Sequence, residues 1–184
     1  MKDTQWPRYQ VFLQEKAGAP HQDAGSVHAP DQEMALLNAR DVFVRRPGCA
    51  NLWVVPVWGI FSRTAQELQR KDLESIGDKP PQSLPETYYV FSKAKSAGTQ
   101  TLVGALEAVS PEQAMRKAIE NFSGMQPPYA WWVFPARLVL QNDPGDAESM
   151  FTPALDKTFR MATDFHTHTA MRRILKVEGK NVKS

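Results

Sequence analysis

The sequence predicts an α+β protein: two tandem ββαββ units of the β-grasp, ubiquitin-like kind, packed together as an internal pseudo-dimer and followed by an extended C-terminal arm. Three observations predict this. The chain repeats itself without a gap, Tyr9 to Phe61 returning at an offset of about 79 residues. Each copy reads as two short strands, one helix and two returning strands. After the second copy the periodicity stops, yet apolar residues continue. The repeat is carried by Tyr9, Val11 and Phe12 against Tyr88, Val90 and Phe91, and by Gly25 against Gly104. It continues in Ala35, Ala39 and Phe43 against Ala114, Ala118 and Phe122, and in Trp53, Val54 and Pro56 against Trp132, Val133 and Pro135. Positions held in both copies are what one small fold needs. Positions held in only one are where a particular function can sit.

Taken in order, Tyr9–Lys16 alternates as a strand, and a turn at Gly18–Pro20 leads to a second strand over Asp23–Ala29. Asp31 caps the helix that follows. In the second copy the strands are Tyr88–Lys95 and Thr101–Ala108, with a turn at Gly98. Ser110 is the second helix's N-cap, with Pro111 at the first helical position and Glu112 at the positive end of the dipole. Gln113 completes a capping box. The shared Ala, Ala, Phe positions are spaced i, i+4, i+8 and form one buried stripe that lets each helix approach a sheet closely. The helices stop at Pro47-Gly48 and near Gly124–Pro128. Aromatic and β-branched strands follow at Leu52–Val57 and Tyr129–Phe134, ended by Pro56 and Pro135 because proline offers no N–H to a ladder. A last short strand falls at Gly59–Ser62 and at Arg137–Gln141. The domain expectation is thus a first unit over residues 5–63, a linker over 64–85, a second unit over 86–143 and an arm over 144–184. The linker carries a charged helical turn or two and the stiff Lys79-Pro80-Pro81.

Composition bounds the function. The chain has 184 residues, 42% of them hydrophobic and 23% charged, as in ordinary soluble globular proteins. Units this small bury only about 60% of their unfolded surface, which favours pairing the two copies or docking them on a partner. A net charge of +2, with basic residues spread along the chain apart from a mild cluster over Arg172–Lys183 that reads as a solvated tail, gives no electrostatic footprint for nucleic acid. No apolar run reaches membrane-spanning length, and no apolar core marks a secretory signal. The single cysteine, Cys49, forms no internal disulfide, and the expectation is a cytoplasmic protein.

Chemistry-bearing motifs are few. His166 and His168 share one face of an extended segment, a spacing that can pair on a metal, but only Asp164 joins them and a solvated arm is the favoured reading. His21 and His28 face Gln100 and Glu107 in the repeat and read as structural or surface residues. Cys49 has no partner base, and no hydrolase, P-loop, zincin or dinucleotide fingerprint occurs. The large aromatics at non-equivalent places, Trp6, Trp58 and Trp131, read equally as interface anchors or as core filling.

The stretch Trp6-Pro7-Arg8-Tyr9-Gln10-Val11-Phe12, then Gly25-Ser26-Val27-His28-Ala29, then Met34-Ala35-Leu36 with Asn38-Ala39-Arg40-Asp41, then Trp53-Val54-Val55, closely resembles the PaaB family. These are the small B subunits of the phenylacetyl-CoA epoxidase complex of phenylacetate degradation. Pro153-Ala154 followed by Asp156-Lys157-Thr158-Phe159-Arg160 and Thr163 is similar to that family's C-terminal tail, with Phe159 in place of a tyrosine and Ala162 in place of a proline. Typical members have one unit before the tail, and this chain has two. The resemblance implies a non-catalytic bridging subunit of a di-iron acyl-CoA ring oxygenase. It has no cofactor of its own, its partners are helical catalytic and structural subunits, and a reductase supplies the electrons. The candidate partner interface is Trp6, Tyr9, His28, Trp58, Trp131, Phe159, Arg160 and Phe165. The alternatives are a free-standing acyl-CoA-binding protein with a pocket between the units, and an enzyme using His28, Cys49 or His166 and His168.

Overall fold

The computed structural model describes residues 5–44, 49–69, 84–124 and 128–156. The first copy gives β1 (Arg8–Gln14), β2 (Gln22–His28), α1 (Gln32–Phe43), β3 (Asn51–Pro56), a 3-10 turn (Val57–Gly59) and β4 (Phe61–Thr64). A short helix, α2 (Ala65–Gln69), follows. The second copy gives β5 (Glu86–Lys93), β6 (Thr101–Ala108), α3 (Pro111–Phe122), β7 (Ala130–Pro135), a 3-10 turn (Ala136–Leu138) and β8 (Leu140–Gln141). A further 3-10 turn (Pro144–Asp146) and two short helices, α4 (Ala147–Phe151) and α5 (Pro153–Asp156), complete it. None of the described helices is long and apolar enough to cross a membrane.

Local signals act as read. The Asp31 side chain accepts from Met34 N–H, and Ser110 accepts from Gln113 N–H. The Gln113 side chain reaches one residue further back than a capping box requires and accepts from Val109 N–H at 2.9 Å. Both hairpins carry a register shift at the same repeat position, between Val11 and Phe12 and between Val90 and Phe91. Each shift is a bulge on the partner strand beside a glycine. Gly25, at φ +130°, lies under the Phe43 ring, and Gly104 under the Phe122 ring.

All eight strands form one antiparallel sheet in the order β4-β7-β5-β6-β2-β1-β3-β8. This corrects two expectations. In a ubiquitin-like roll the first strand pairs in parallel with a strand that returns after the helix. Here the strand after the helix, β3, lies directly beside β1 and antiparallel to it, with Phe12 opposite Trp53. The short fourth strands also leave their own copies. β4 pairs with β7 of the second copy, Phe61 opposite Val133, and β8 pairs with β3 of the first, Leu140 opposite Val54. The physical reason is the proline that ends β3 and β7: the 3-10 turn after it carries the chain across to the neighbouring edge.

The two hairpins meet at Gln22 opposite Thr101, flanked by Asp23 N–H to Gln100 O and Leu102 N–H to His21 O, both 2.9 Å. These two bonds are related by the same offset as the sequence repeat. On the far side the 3-10 turns meet, and a Cβ on Gly59 would overlap Leu138.

Three apolar clusters result. Helix α1 covers one half through Val11, Ala35, Ala39 and Val54; α3 covers the other through Val90, Ala114, Ala118 and Val133. The third cluster lies on the sheet's other face and joins Phe12, Trp53 and Val55 to Phe91 and Phe134. The Phe12 and Phe91 ring centroids are 4.3 Å apart. Their strands are three strand intervals apart, about 14 Å on a flat sheet, so the sheet must curl around these rings. This aromatic cluster lies between the copies, where the alternative expectation puts a small-molecule pocket. The start of the arm also differs from the extended form expected. Residues 144–156 are helical turns, and Phe151 and Ala154 are buried in the cluster under α1.

Candidate functional site

The functional candidates fall into three places: the seam between the halves, the surface around Trp6, and the crossing turn at Trp58. At the seam, His21 is buried and stacks on Trp53 with centroids 3.8 Å apart, while its Nε2 lies 3.0 Å from Asn51 Oδ1. Burial holds its pKa below the ordinary 6.5, against the raising effect of Asn51. Trp53 donates from Nε1 to Gln141 Oε1 of the exchanged β8 at 2.8 Å, and its ring also meets Tyr89 at 4.6 Å. Asp23 accepts from Gln10 Nε2 at 2.5 Å and from Gly25 N–H at 3.1 Å. Burial raises its carboxyl pKa; both hydrogen bonds and the nearby Lys93 pull the other way. In the second copy these places hold Gln100, Leu102, Tyr89 and Ala130. The seam is therefore polar on one side and largely apolar on the other, and its polar groups are occupied in holding register. Gln100 Oε1 is the exception, a buried acceptor with no partner among the described residues.

Cys49 is half-buried, with its Sγ donating to Asn51 O at 3.6 Å. Burial pushes its thiol up to about 11, so it stays protonated and a poor nucleophile at neutral pH. Tyr88 is pushed up to about 12 by burial and by the Glu86 carboxylate, to which its hydroxyl donates at 3.2 Å.

The expected interface residues separate. Tyr9 and Trp131, 7% and 2% exposed, are core residues of the first and second halves, so neither ring is offered to a partner. Trp6 is 61% exposed. Its backbone carbonyl accepts from His28 Nδ1 at 2.8 Å, and Asn38 of α1 donates to His28 O at 3.3 Å. These bonds tie the Trp6 backbone and His28 to the side of α1. Trp58 is 76% exposed on the first crossing turn. Its counterpart, Arg137, is bonded at 2.7 Å to Glu86. Phe159, Arg160, Phe165, His166 and His168 lie outside the described residues. Among the described residues no three histidines, cysteines or carboxylates cluster as metal ligands.

Sequence reasoning missed the outer face of α1, where Met34, Leu37 and Val42 are exposed. The signal was present: the same positions of α3 hold Gln113, Arg116 and Asn121.

The described residues thus form an antiparallel α+β fold with an aromatic cluster between its halves and with Trp6 and Trp58 exposed at separate places. The family model described as Phenylacetic acid degradation B (PaaB) matches residues 5–80 and 85–172, and the chain belongs to that family. The B subunit of the 1,2-phenylacetyl-CoA epoxidase of Escherichia coli (strain K12) is 42% identical over 67 residues, 36% of this chain and 70% of that protein. No solved structure matches the chain.

Proposed function

We propose that the chain is a non-catalytic bridging subunit of a multicomponent di-iron acyl-CoA ring oxygenase, a cytoplasmic assembly of the phenylacetyl-CoA epoxidase kind. Its two units act as an internal pseudo-dimer. The mirrored seam bonds and the reciprocal exchange of β4 and β8 support that reading, because a two-fold interface repeats every contact in both directions. One observation carries the bridging role. Trp58 stands exposed on a turn that joins the halves, where the other copy has an ion-paired arginine. The fold does not need a tryptophan there, and such residues anchor protein interfaces. Trp6 and His28 form the second contact region.

The test is co-expression with the helical di-iron and structural subunits of such an oxygenase. The chain should co-elute with them, and Trp58→Ala should weaken that complex by about tenfold or more, the usual effect of truncating an anchor. A chain that elutes alone, with an oxygenase that turns over equally well without it, overturns the proposal.

A further inference from the structure

One cross-strand position is built in two ways in the two halves. Arg8 stands directly opposite His28 in the β1–β2 hairpin, and their repeat counterparts, Thr87 and Glu107, stand directly opposite each other in the β5–β6 hairpin. The frame around them is the same. Asn38 of α1 donates to His28 O at 3.3 Å, and Lys117, its counterpart on α3, donates to Glu107 O at 2.7 Å. Residues opposite each other on an antiparallel pair put their side chains on one face, with Cβ atoms about 5 Å apart. In the second half that place is closed, because the Thr87 hydroxyl donates to the Glu107 carboxylate. In the first half a guanidinium stands beside an imidazole, and neither side chain is an acid. Threonine serves the same frame, so the fold does not require an arginine there.

Arg8 is exposed and makes no hydrogen bond or ion pair with any described residue. The acids around it are engaged elsewhere or lie on the helix. Gln10, the next residue of β1 on that face, is bonded to Asp23, which also accepts from Gly25 N–H. Asp31 accepts from Met34 N–H at 2.8 Å, and Glu33 stands in the first turn of α1. His28 is held in a fixed orientation. A carbonyl oxygen only accepts, so Nδ1 carries a proton and donates to Trp6 O at 2.8 Å, and no described residue bonds Nε2. Ala29 N–H donates to Pro7 O at 3.1 Å, which fixes the backbone beside the exposed Trp6 indole. An exposed tryptophan and an arginine without a counter-ion, both on a tied strand end, are the residue types enriched where proteins meet.

We propose that Arg8 and His28 form a docking site for a carboxylate of the helical partner subunit, with Trp6 as the apolar contact beside it. The inference rests on the bridging role and names the chemistry of one contact. The partner's acid takes the place that Glu107 fills from within the chain in the other half. The Arg8 fork offers two parallel N–H donors to a carboxylate. A protonated His28 gives Nε2 to the same acid while Nδ1 stays on Trp6. The partner surface is then an Asp or Glu side chain flanked by apolar groups that cover the indole. Each chain carries this place once, because Glu107 would repel the same acid at the equivalent place of the second half.

The test titrates the full-length chain against the helical subunits of such an oxygenase at low salt and reads the dissociation constant. Arg8→Glu and His28→Glu should each weaken the complex by about tenfold or more, by setting like charges against each other. Arg8→Gln, which removes the charge without reversing it, should also weaken it, and it covers the case in which Arg8→Glu disturbs the fold. Lys95→Glu makes the same change of net charge at an exposed position of the second half and should alter binding by no more than about twofold. Unchanged binding by Arg8→Glu and Arg8→Gln overturns the proposal, and so does an equal loss with Lys95→Glu. The occupant is read by zero-length carbodiimide coupling of the Arg8→Lys chain in the complex. An amide from position 8 to an Asp or Glu of a helical subunit is the expected product. An amide to an acid of the same chain, or of a second copy of it, overturns the proposal. If the unsubstituted chain forms no complex, the bridging role falls and this site with it; if it does and the Arg8 variants bind equally well, this site alone falls.

Discussion

The repeated glycine under the repeated phenylalanine allows a test in which one half checks the other. A Cβ on Gly104 would meet Phe122 Cζ at 2.6 Å and Cε1 at 2.8 Å, closer than packed carbons approach. Gly104→Ala must therefore push the ring or the end of α3 away, at a cost of about 1–3 kcal/mol for overpacking. Phe122→Leu removes the atoms that clash and loses roughly 1 kcal/mol of apolar burial by itself. The double variant should be more stable than the sum of the two single costs by about 1–2 kcal/mol, a coupling well above that of independent sites. Gly25 is the comparison. Its Cβ would meet Phe43 at 3.0 and 3.1 Å, a milder approach, but its φ is +130°, where a side chain adds strain of about 1–3 kcal/mol. Phe43→Leu relieves contact and not φ, so Gly25→Ala should stay destabilised in the double variant. Urea unfolding followed by tryptophan fluorescence gives all six stabilities. Coupling below about 0.5 kcal/mol between Gly104 and Phe122 would refute the steric argument, and full rescue of Gly25→Ala would refute the backbone one.

Three further outcomes are expected. Phe12→Ala should cost about 3–5 kcal/mol, since its ring sits against Phe91 and Phe134 of the other half, and unfolding should remain one transition; two separate melts would show that the halves do not share a core. His21 has a folded-state pKa below 6.5, so the unfolded chain takes up its proton first as pH falls. Its contribution is intact above 6.5 and declines as pH drops toward the folded value; His21→Gln, which copies the second half, should flatten that part of the stability–pH curve, and an unchanged slope would place the titrating group elsewhere. Trp58→Ala should leave stability within about 0.5 kcal/mol, as for exposed positions, while weakening the partner complex; a large stability loss would make Trp58 a fold residue.

The local elements were legible because each rests on a signal only a few residues long. Asp31 and Ser110 cap their helices, the alanine stripes face the sheet, and Pro56 and Pro135 end their strands. Pairing was not legible, because strand order depends on contacts between residues far apart in the chain. β4 reads as an ordinary final strand, and nothing in Phe61-Ser62-Arg63-Thr64 says which edge it will join. The same holds for the candidate site. Tyr9 and Trp131 look like any other large aromatics until the sheet curls and buries them. The polar seam was half visible, as His21 opposite Gln100 in the repeat, but its meaning required the two hairpins to meet at Gln22 and Thr101.

The exchange of edge strands also accounts for how one copy could change while the other kept its character. In a two-fold dimer of identical chains, every substitution appears twice, so both outer helices stay the same. Joining the copies in one chain removes that constraint, while β4 on β7 and β8 on β3 keep the copies dependent on each other. The sheet edges are then only four and two residues long, too short to template pairing with another chain. Under that protection α3 could take on Gln113, Arg116 and Asn121 without exposing the shared core, which Ala114, Met115 and Ala118 form on this helix. An asymmetric pair, with one face apolar and one polar, is what fusion permits and what a symmetric dimer forbids.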